Sequence, residues 1–383
     1  ESLPFLEALR QMRVEEGPQN VIFVHVTLAP SLDVVGEQKT KPTQHSAQEL
    51  RRIGIQPDFL AVRCTTPLEE KTKKKIALFT NVTANDVLSC HDVKSIFQVP
   101  QILYDQGIMD SLFRKFGKVG MVNASANWDK WNSIAESMIN HEDQKVKIAM
   151  VGKYVTLADS YVSVNHALKH AGAKLGKSVV IDWIDSELIS DYDILSKYDG
   201  ILVPGGFGIR GSEGIIKTAN YAREKNIPYL GICFGFQLAS IAFARNVLKL
   251  DDANSTEIKH DAKNPIVDLL PEQKNVSDMG GSLRLGANDI QIKQNTIAHK
   301  IYSADTISKR HRHRYEINKK YIPEFENKGL IFSAESDGGK RMEMLEIPSH
   351  KFYLGVQFHP EFNSRPGYPE QVFEAFVKAA SHK

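Results

Sequence analysis

The chain has 383 residues, enough for about two domains of roughly 100–200 residues each. Hydrophobic residues make up 42% and charged residues 25%, as in an ordinary globular protein, and a formal net charge of +2 excludes a general electrostatic attraction to nucleic acid or membranes. Three cysteines are too few for a disulfide framework and indicate a reducing cytoplasm, while no apolar run approaches the roughly 20 residues that cross a bilayer.

The first 116 residues alternate between helix-like and strand-like segments. Apolar spacing predicts a helix over residues 6–12, and a polar turn over residues 39–44 precedes a helix that begins at Ser46 as its N-cap. Residues 68–75 form a charged, helix-like run. Short apolar runs predict buried strands over residues 20–26, 59–62 and 76–79. This alternation predicts an α/β layer with a mostly parallel, Rossmann-like sheet.

Residues 117–145 form the predicted boundary between two domains. This stretch begins with small and polar residues, passes an amphipathic helix that carries Trp128 and Trp131, and ends in a polar run. A second α/β unit follows. Its predicted strands cover residues 146–151, 179–183 and 200–203 and a series within 329–358, and its predicted helices cover 161–173, 214–222, 234–245 and 370–380. We therefore predict a first domain over residues 1–116, a linker over 117–145 and a second domain over 146–383.

The most informative segment surrounds Cys233, which stands between a short apolar run and a helix-like segment. Gly231 and Gly235 lie two residues either side of it, where a sharp strand-to-helix turn leaves no room for side chains. Backbone N–H groups at a helix start lower the pKa of a thiol and stabilise an oxyanion. Far downstream, His359 and Glu361 have the spacing of a base and its orienting carboxylate. A lone cysteine is most often a small buried hydrophobic residue, but this combination favours a nucleophile.

A glycine-rich loop over residues 204–208 follows the predicted strand 200–203. Such loops are common after strands and alone indicate little. Beside a cysteine nucleophile, the loop would supply a second donor to an oxyanion hole formed by the backbone N–H groups of Gly206 and Phe234. Each donor of this kind contributes roughly 3–4 kcal/mol in the transition state.

These three features, in this order, resemble the class I (triad) glutamine amidotransferase domain, from residue 146 to the C-terminus. The resemblance implies that Cys233 attacks the side-chain amide of glutamine, that His359 transfers protons and that Glu361 orients His359. A glutamyl thioester would release ammonia before it is hydrolysed. Phe234 and Phe236 stand where the family often has leucine and methionine, a difference that concerns the shape of the pocket rather than its chemistry.

Further motifs resemble the CTP synthase family over essentially the whole chain. They cover residues 39–46, 52–58, 75–79, 252–257, 279–286 and 310–316. The resemblance implies a ligase of pyrimidine biosynthesis in which ATP phosphorylates the 4-oxygen of UTP and ammonia from glutamine displaces the phosphate to give CTP. It also implies homotetramers, Mg²⁺ used with ATP, GTP as an allosteric activator and CTP as a feedback inhibitor, with neither nucleic acid nor a membrane as a partner.

The same resemblance implies the binding residues. Glu257 and Arg314 would hold the amino and carboxylate ends of glutamine, because a zwitterion suits one anion and one cation at a fixed separation. The implied glutamine site comprises Gly206, Phe234, Gly235, Phe236, Gln237, Glu257 and Arg314. The implied UTP and CTP site comprises Glu1, Lys39, Thr40, Lys41, Pro42, Thr43, Gln44 and Lys75. The implied ATP site comprises His91, Asp92 and Val93.

Simpler interpretations exist for the basic segments. Residues 310–314 could be a solvated basic cluster or a nucleic-acid patch, although the near-neutral net charge and the lack of an aromatic platform disfavour nucleic acid. Without the family resemblance, residues 39–44 would be a solvated basic turn. Lys73 and Lys74 are expected to face solvent, and histidines other than His359 are expected to be structural.

The phosphate-binding motif GxxxxGK[ST], typical of the start of CTP synthases, is absent from the sequence. We therefore expect the chain to lack the N-terminal part of its synthetase domain, with Mg²⁺ ligands lying before Glu1 and no metal ligands in this chain. Two alternatives stay open. One is a stand-alone glutaminase that serves another synthetase, and the other is a non-catalytic, nucleotide-binding assembly protein.

Overall fold

A computed structural model describes residues 2–31, 37–118, 128–139, 144–154, 158–269 and 283–381. Glu1 and residues 279–282 lie outside the described residues. The chain divides into two compact units, Glu1–Ile139 and Asn140–Lys383. The finer division with a linker over residues 117–145 stays a prediction. Of the described helices, none is both long and apolar enough to span a membrane.

The N-terminal unit alternates helices and strands. In chain order they are α1 (Leu3–Glu16), β1 (Val24–Leu28), α2 (Lys41–Arg52), β2 (Phe59–Cys64), α3 (Glu70–Thr80), β3 (Val87–His91), α4 (Val99–Asp105), α5 (Ile108–Lys115) and α6 (Trp128–Ser137). The three strands form a parallel sheet in the order β1-β2-β3. Phe59, Leu60 and Val62 of the middle strand are fully buried, as expected where both faces of a parallel sheet are covered. The predicted α/β class with a parallel sheet is confirmed.

The predicted boundary between the polar turn and the second helix is wrong. Helix α2 already begins at Lys41, because Pro42 in its first turn has the fixed φ that suits a helix start. The backbone N–H of Gln44 donates to the carbonyl of Thr40 at 3.0 Å. Ser46 is therefore inside the helix, and its hydroxyl lies 2.8 Å from Nε2 of His25 instead of capping the helix.

The strand predicted over residues 76–79 is also wrong, since these residues form the second half of α3. Thr72, Ile76 and Thr80 recur every four residues and are buried, which is helical periodicity. The helix ends at Asn81, whose φ of 57° is left-handed. The strand predicted over residues 20–26 begins only at Val24, and it is not buried as predicted, since Val24 is 49% and Val26 66% exposed.

The C-terminal unit is built around a larger mixed sheet. Its elements are, in chain order, β4 (Lys145–Gly152), α7 (Val162–Lys174), β5 (Ser178–Asp185), β6 (Gly200–Val203), α8 (Ser212–Glu224), β7 (Tyr229–Ile232), α9 (Phe234–Asn246), β8 (Ala253–Ser255), β9 (Asn264–Leu269), β10 (Arg284–Ile292), α10 (Ile297–Tyr302), β11 (Thr306–His313), β12 (Tyr315–Ile317), α11 (Ile322–Asn327), β13 (Ile331–Ser336), β14 (Arg341–Glu346), β15 (Tyr353–Val356) and α12 (Gln371–Ala380).

Within the described residues, nine of these strands form one sheet in the order β11-β10-β13-β14-β15-β7-β6-β4-β5. The five strands from β15 to β5 run parallel to one another, and the other four form an antiparallel wing. Strands β6, β7 and β15 are buried along their whole length, because helices and core side chains cover both faces. Strands β12, β9 and β8 form a small separate sheet.

The register of the large sheet determines which segments meet at its carboxyl edge. Ile232 at the end of β7 pairs with Val356 at the end of β15, and Val203 at the end of β6 pairs with Gly231. The segments that follow these three strands therefore start side by side, at the edge where open α/β sheets bind ligands. They carry the cysteine turn, the turn with His359, and the glycine loop.

Candidate active site

Cys233 lies at the tip of a sharp turn between β7 and α9. Its φ of 52° and ψ of −96° are unusual for a residue with a side chain and mark local backbone strain. A Cβ on Gly231 would stand 2.7 Å from the backbone of Gly235, and a Cβ on Gly235 would collide with the carbonyl oxygen of Val203. The predicted need for glycine at both positions is confirmed, because no side chain fits there.

The side chains of Cys233, His359 and Glu361 meet at one side of a cavity. Nδ1 of His359 lies 2.8 Å from Oε1 of Glu361, and the Cys233 side chain lies close enough to the imidazole to raise its pKa. The thiol is enclosed, since Cys233 is only 2% exposed. The side-chain amide of Gln357 donates to Sγ at 3.6 Å, and Sγ lies 3.8 Å from the carbonyl oxygen of Arg312.

The pKa of His359 follows from these contacts. Burial lowers the pKa of an imidazole because it disfavours the charged form. The hydrogen bonds and negative charges of Cys233 and Glu361 outweigh burial and raise the pKa of His359 from 6.5 to about 10. An imidazolium beside a thiol favours the thiolate, which is the reactive form of cysteine.

A cavity of about 520 Å³ opens beside Cys233, within the range of small-molecule sites. Its lining comes mainly from the segments that follow β4, β6 and β15. The lining residues are Tyr154, Asp159, Ser160, Tyr161, Val162, Ser163, Val164, Pro204, Gly205, Gly206, Phe207, Cys233, Arg312, His359, Glu361 and Phe362. Gly205 forms the wall next to the base, since a Cβ there would stand 3.0 Å from Cε1 of His359.

The glycine loop is bound to Glu257. The backbone N–H of Gly208 donates to Oε1 of Glu257 at 2.7 Å. Burial raises the pKa of Glu257, and the bond from Gly208 and the positive charges of Lys153 and Arg314 partly offset this effect. The predicted anion and cation of the glutamine site, Glu257 and Arg314, are therefore close enough to interact electrostatically.

Lys153 is a site residue that the sequence argument missed. It follows β4 directly, is 4% exposed, and donates from Nζ to the carbonyl oxygens of Phe207, at 2.7 Å, and Gly208. Burial lowers the pKa of Lys153 to about 8. A lysine at the carboxyl end of a buried strand is a signal that could have found it, because lysines are rarely buried without a specific partner.

The other predicted glutamine-binding residues have different surroundings. Among the residues of that predicted set, Gly206 lines the cavity. Gly235, Phe236 and Gln237 are buried in the first turn of α9. The side-chain amide of Gln237 donates to the carbonyl of Tyr315 and to Oε1 of Gln357, both at 3.0 Å, so it supports the residue that contacts the thiol. Direct contact of these residues with glutamine stays a prediction.

The basic segment over residues 310–314 is not simply a solvated cluster, because part of it is buried. Along β11, Arg310 and Arg312 are exposed whereas His311 and His313 are 1% exposed, because successive side chains of a strand point to opposite faces. The buried face is a charge network. Arg284 donates to Glu343 at 2.5 Å, and Nε2 of His311 lies 2.8 Å from the other oxygen of Glu343.

The pKa values in this network differ strongly with surroundings. Burial would raise the pKa of Glu343, but the hydrogen bond to His311 and the charges of His311 and Arg284 lower it to about 2. Burial lowers the pKa of His313 to about 3. Burial likewise raises the pKa of Glu316 to about 8, against the opposing effect of Arg341. Glu343 is thus held ionised, while the ring of His313 is held neutral.

Residues 39–44 of the predicted UTP and CTP site follow β1, at the carboxyl edge of the three-stranded parallel sheet, whereas Lys75 of that set lies in α3. Lys41 and Pro42 are exposed in the first turn of α2, whereas Thr43 is buried and its hydroxyl donates to the carbonyl of Leu28 at 2.9 Å. The hydroxyl of Thr40 accepts from the side-chain amide of Gln44 at 2.9 Å.

Glu37 connects two lysines of this predicted site. Nζ of Lys39 lies 2.6 Å from Oε2 of Glu37, and the charges of Lys39 and Lys75 both lower the pKa of that carboxyl. Lys74 is exposed as expected. Lys73 is not, since it is half-buried and donates to Gln106 at 3.3 Å.

The predicted ATP residues lie at the end of β3, at the same edge of the sheet. Nδ1 of His91 lies 3.4 Å from the hydroxyl of Ser89, and the exposed carboxylate of Asp92 pairs with Arg63 at 2.6 Å. Val93 is half-buried beside them. Across the described ranges, no group of three or more His, Cys, Asp or Glu side chains is placed to hold a metal ion.

Two family models match the chain. A model described as glutamine amidotransferase class-I matches residues 156–379, and a model described as CTP synthase N-terminus matches residues 1–118. The expectation that the chain lacks the N-terminal part of its synthetase domain is not confirmed, since residues 1–118 match the second model.

Similar proteins cover nearly the whole chain. The CTP synthase of Archaeoglobus fulgidus is 50% identical over 381 residues, which are 99% of this chain and 70% of that protein. The CTP synthase of Pyrococcus abyssi is 50% identical over 383 residues, 99% of this chain and 71% of that protein. Among solved structures, the Trypanosoma brucei glutaminase domain with bound acivicin is 39% identical with a TM-score of 0.59, and the match covers 62% of this chain and 94% of that one.

Proposed function

The chain belongs to the CTP synthase family of glutamine-hydrolysing ligases in pyrimidine biosynthesis, and we propose that Cys233, His359 and Glu361 carry out its glutaminase half-reaction. One observation carries the proposal. An enclosed cysteine at a strained strand-to-helix turn lies beside a histidine, and the contacts of that histidine with the cysteine and with a carboxylate 2.8 Å away raise its pKa to about 10.

In this proposal the thiolate of Cys233 attacks the side-chain amide carbon of glutamine, and the backbone N–H groups of Gly206 and Phe234 stabilise the charge that develops on the amide oxygen. His359 gives its proton to the departing nitrogen, so that ammonia leaves and a glutamyl thioester remains. The neutral imidazole then takes a proton from water, whose oxygen attacks the thioester. Glutamate leaves, and the thiolate and imidazolium are restored.

We further propose the synthetase reaction implied by the family. ATP phosphorylates the 4-oxygen of UTP, and ammonia displaces that phosphate to give CTP, ADP and phosphate. The position of residues 39–44, Lys75 and residues 91–93 at or near the carboxyl edge of one parallel sheet supports their predicted roles in binding UTP, CTP and ATP. The predicted role of Glu1 rests on the family alone.

The family uses Mg²⁺ with ATP, and among the described residues no group of three or more His, Cys, Asp or Glu side chains is placed to hold it. Activation by GTP, inhibition by CTP, a homotetrameric assembly and a cytoplasmic location are likewise proposed from family membership alone.

The test is Cys233→Ala, assayed for glutamate release and for conversion of UTP to CTP with magnesium-ATP and either glutamine or ammonium. We expect glutamate release and glutamine-dependent CTP formation to be abolished. Ammonium-dependent CTP formation, if wild type shows it, should persist, because external ammonia bypasses the thioester. Glutamate release by Cys233→Ala at the wild-type rate would refute the proposal.

A further inference from the structure

Lys153 is buried, and no carboxylate of the described residues forms a hydrogen bond with its ammonium group. Its ammonium is satisfied instead by two backbone carbonyl oxygens of the glycine loop, those of Phe207 and Gly208. A buried cation costs free energy unless it is fully hydrogen-bonded. We therefore examine whether Lys153 fixes the conformation of the glycine loop that it binds.

The peptide unit between Phe207 and Gly208 is held at both of its edges. Its carbonyl oxygen accepts from Nζ of Lys153 at 2.7 Å, and its N–H donates to Oε1 of Glu257 at 2.7 Å. In a trans peptide these two groups point in opposite directions. Rotation of this peptide would break both charge-assisted bonds at once, so the loop has one strongly preferred orientation.

The same ammonium contacts the start of α9. Nζ of Lys153 lies 4.3 Å from the centroid of the Phe234 ring, a cation–π distance. A Cβ on Gly206 would stand 3.5 Å from that ring and 3.9 Å from Cε of Lys153, so Gly206 lies against both side chains. A further hydrogen bond joins this segment to Lys153, since the side chain of Arg210 donates to the backbone carbonyl of Lys153 at 2.8 Å.

We propose that Lys153 is a positioning residue for the oxyanion hole, because it joins the glycine loop to Phe234 and thereby makes the N–H groups of Gly206 and Phe234 converge on one oxygen. The inference rests on the glutaminase function proposed above. Lys153 does not touch the reacting atoms in this role, and it acts through the loop and the ring.

The test compares Lys153→Met with Lys147→Met in the full chain. Lys147 is an exposed lysine of β4, the strand that Lys153 follows. We expect Lys153→Met to lower kcat for glutamine hydrolysis about 10- to 100-fold, with KM within about threefold, because oxyanion contacts form only in the transition state. Alkylation of Cys233 by iodoacetamide, followed by mass spectrometry, should stay within about threefold of wild type, since that displacement forms no oxyanion. Lys147→Met should match wild type in all three measurements.

Two further variants keep the outcome decisive. Lys153→Arg keeps the charge and the donors, and its kcat should exceed that of Lys153→Met by about tenfold. If Lys153→Met does not fold, Lys153→Gln replaces it with the same expected pattern. An unchanged kcat in the folded variant would overturn the inference, as would a parallel loss of alkylation or an effect on KM alone. If Cys233→Ala abolishes glutamate release while the Lys153 variant retains its kcat, only this inference fails. If Cys233→Ala retains release, the proposed function itself fails.

Discussion

The carboxylate of Glu361 should govern the pH range over which the glutaminase works. The replacement Glu361→Gln keeps the size of the side chain and an oxygen near Nδ1 of His359, but removes the negative charge. The pKa of His359 rises from 6.5 to about 10 in the folded protein, a difference of about 5 kcal/mol. The contact between the His359 ring and the Glu361 carboxylate is a charge-assisted hydrogen bond, worth about 1.5–3 kcal/mol, so its loss should lower the pKa of His359 by roughly one to two units.

The direction of the pH effect follows from the sign of the shift. A group with a raised pKa keeps its proton below that pKa and loses it as the pH rises through it. Without Glu361, His359 loses its proton at a lower pH, so the alkaline limb of kcat/KM should move down by more than about one pH unit. Below this limb, kcat/KM should still be lower, because the thiolate–imidazolium pair that supplies the nucleophile is less stable without the Glu361 charge.

The assay is glutamate release across neutral and alkaline pH for wild type, Glu361→Gln and the control Glu326→Gln. Glu326 is an exposed carboxylate of the same unit, 3.4 Å from Lys293, and its replacement should leave the profile unchanged. An alkaline limb that does not move in Glu361→Gln would refute the reasoning, whatever the change in rate.

Two other predictions concern the charge network and the proposed nucleotide site. Arg284→Met leaves Glu343 buried without its closest cation and should destabilise the protein by about 3–5 kcal/mol. The temperature of the main thermal transition should fall by roughly 6–20 °C. The control is Arg365→Met, which replaces an exposed arginine, and a fall no larger than that of the control would contradict a structural role for the Arg284–Glu343 pair. Lys41→Ala should weaken UTP binding about tenfold, through loss of a charge-assisted phosphate contact, and leave basal glutamine hydrolysis unchanged. Isothermal titration against Lys74→Ala checks this, and equal UTP affinity in both would remove residues 39–44 from the site.

The catalytic turn could be predicted from sequence because its requirements are local. Gly231 and Gly235 are four residues apart, and a side chain at either position would collide with nearby backbone. The glycines on both sides of Cys233 therefore indicate the sharp turn without knowledge of the rest of the fold. The helix start at Lys41 is also local, but Pro42 is compatible with a turn and with a first helical turn alike, so its presence alone does not distinguish the two. In the short apolar run over residues 76–79, strand and helix periodicity cannot be told apart without the buried Thr72 and Thr80 on either side.

The contacts of Lys153 and Glu343 could not be predicted in the same way. The carbonyl groups that Lys153 binds are more than 50 residues away, and Glu343 of β14 joins Arg284 of β10 to His311 of β11. Such partners depend on sheet order, and the order of the antiparallel wing was not predicted. The series of strands within residues 329–358 was predicted, but nothing in its apolar pattern indicates that β14 carries a buried carboxylate.

The alternation along β11 has a consequence for how this protein can change over evolution. One strand supplies arginines to solvent and to the cavity from one face, and histidines to a buried ion network from the other. Deleting or inserting a single residue within Thr306–His313 would exchange the two faces beyond that point, so guanidinium groups would enter the core and imidazoles would leave it. A point substitution in this strand alters one side chain, whereas a change in its length alters the surroundings of several side chains at once. We therefore expect length variation among related chains to fall outside this strand.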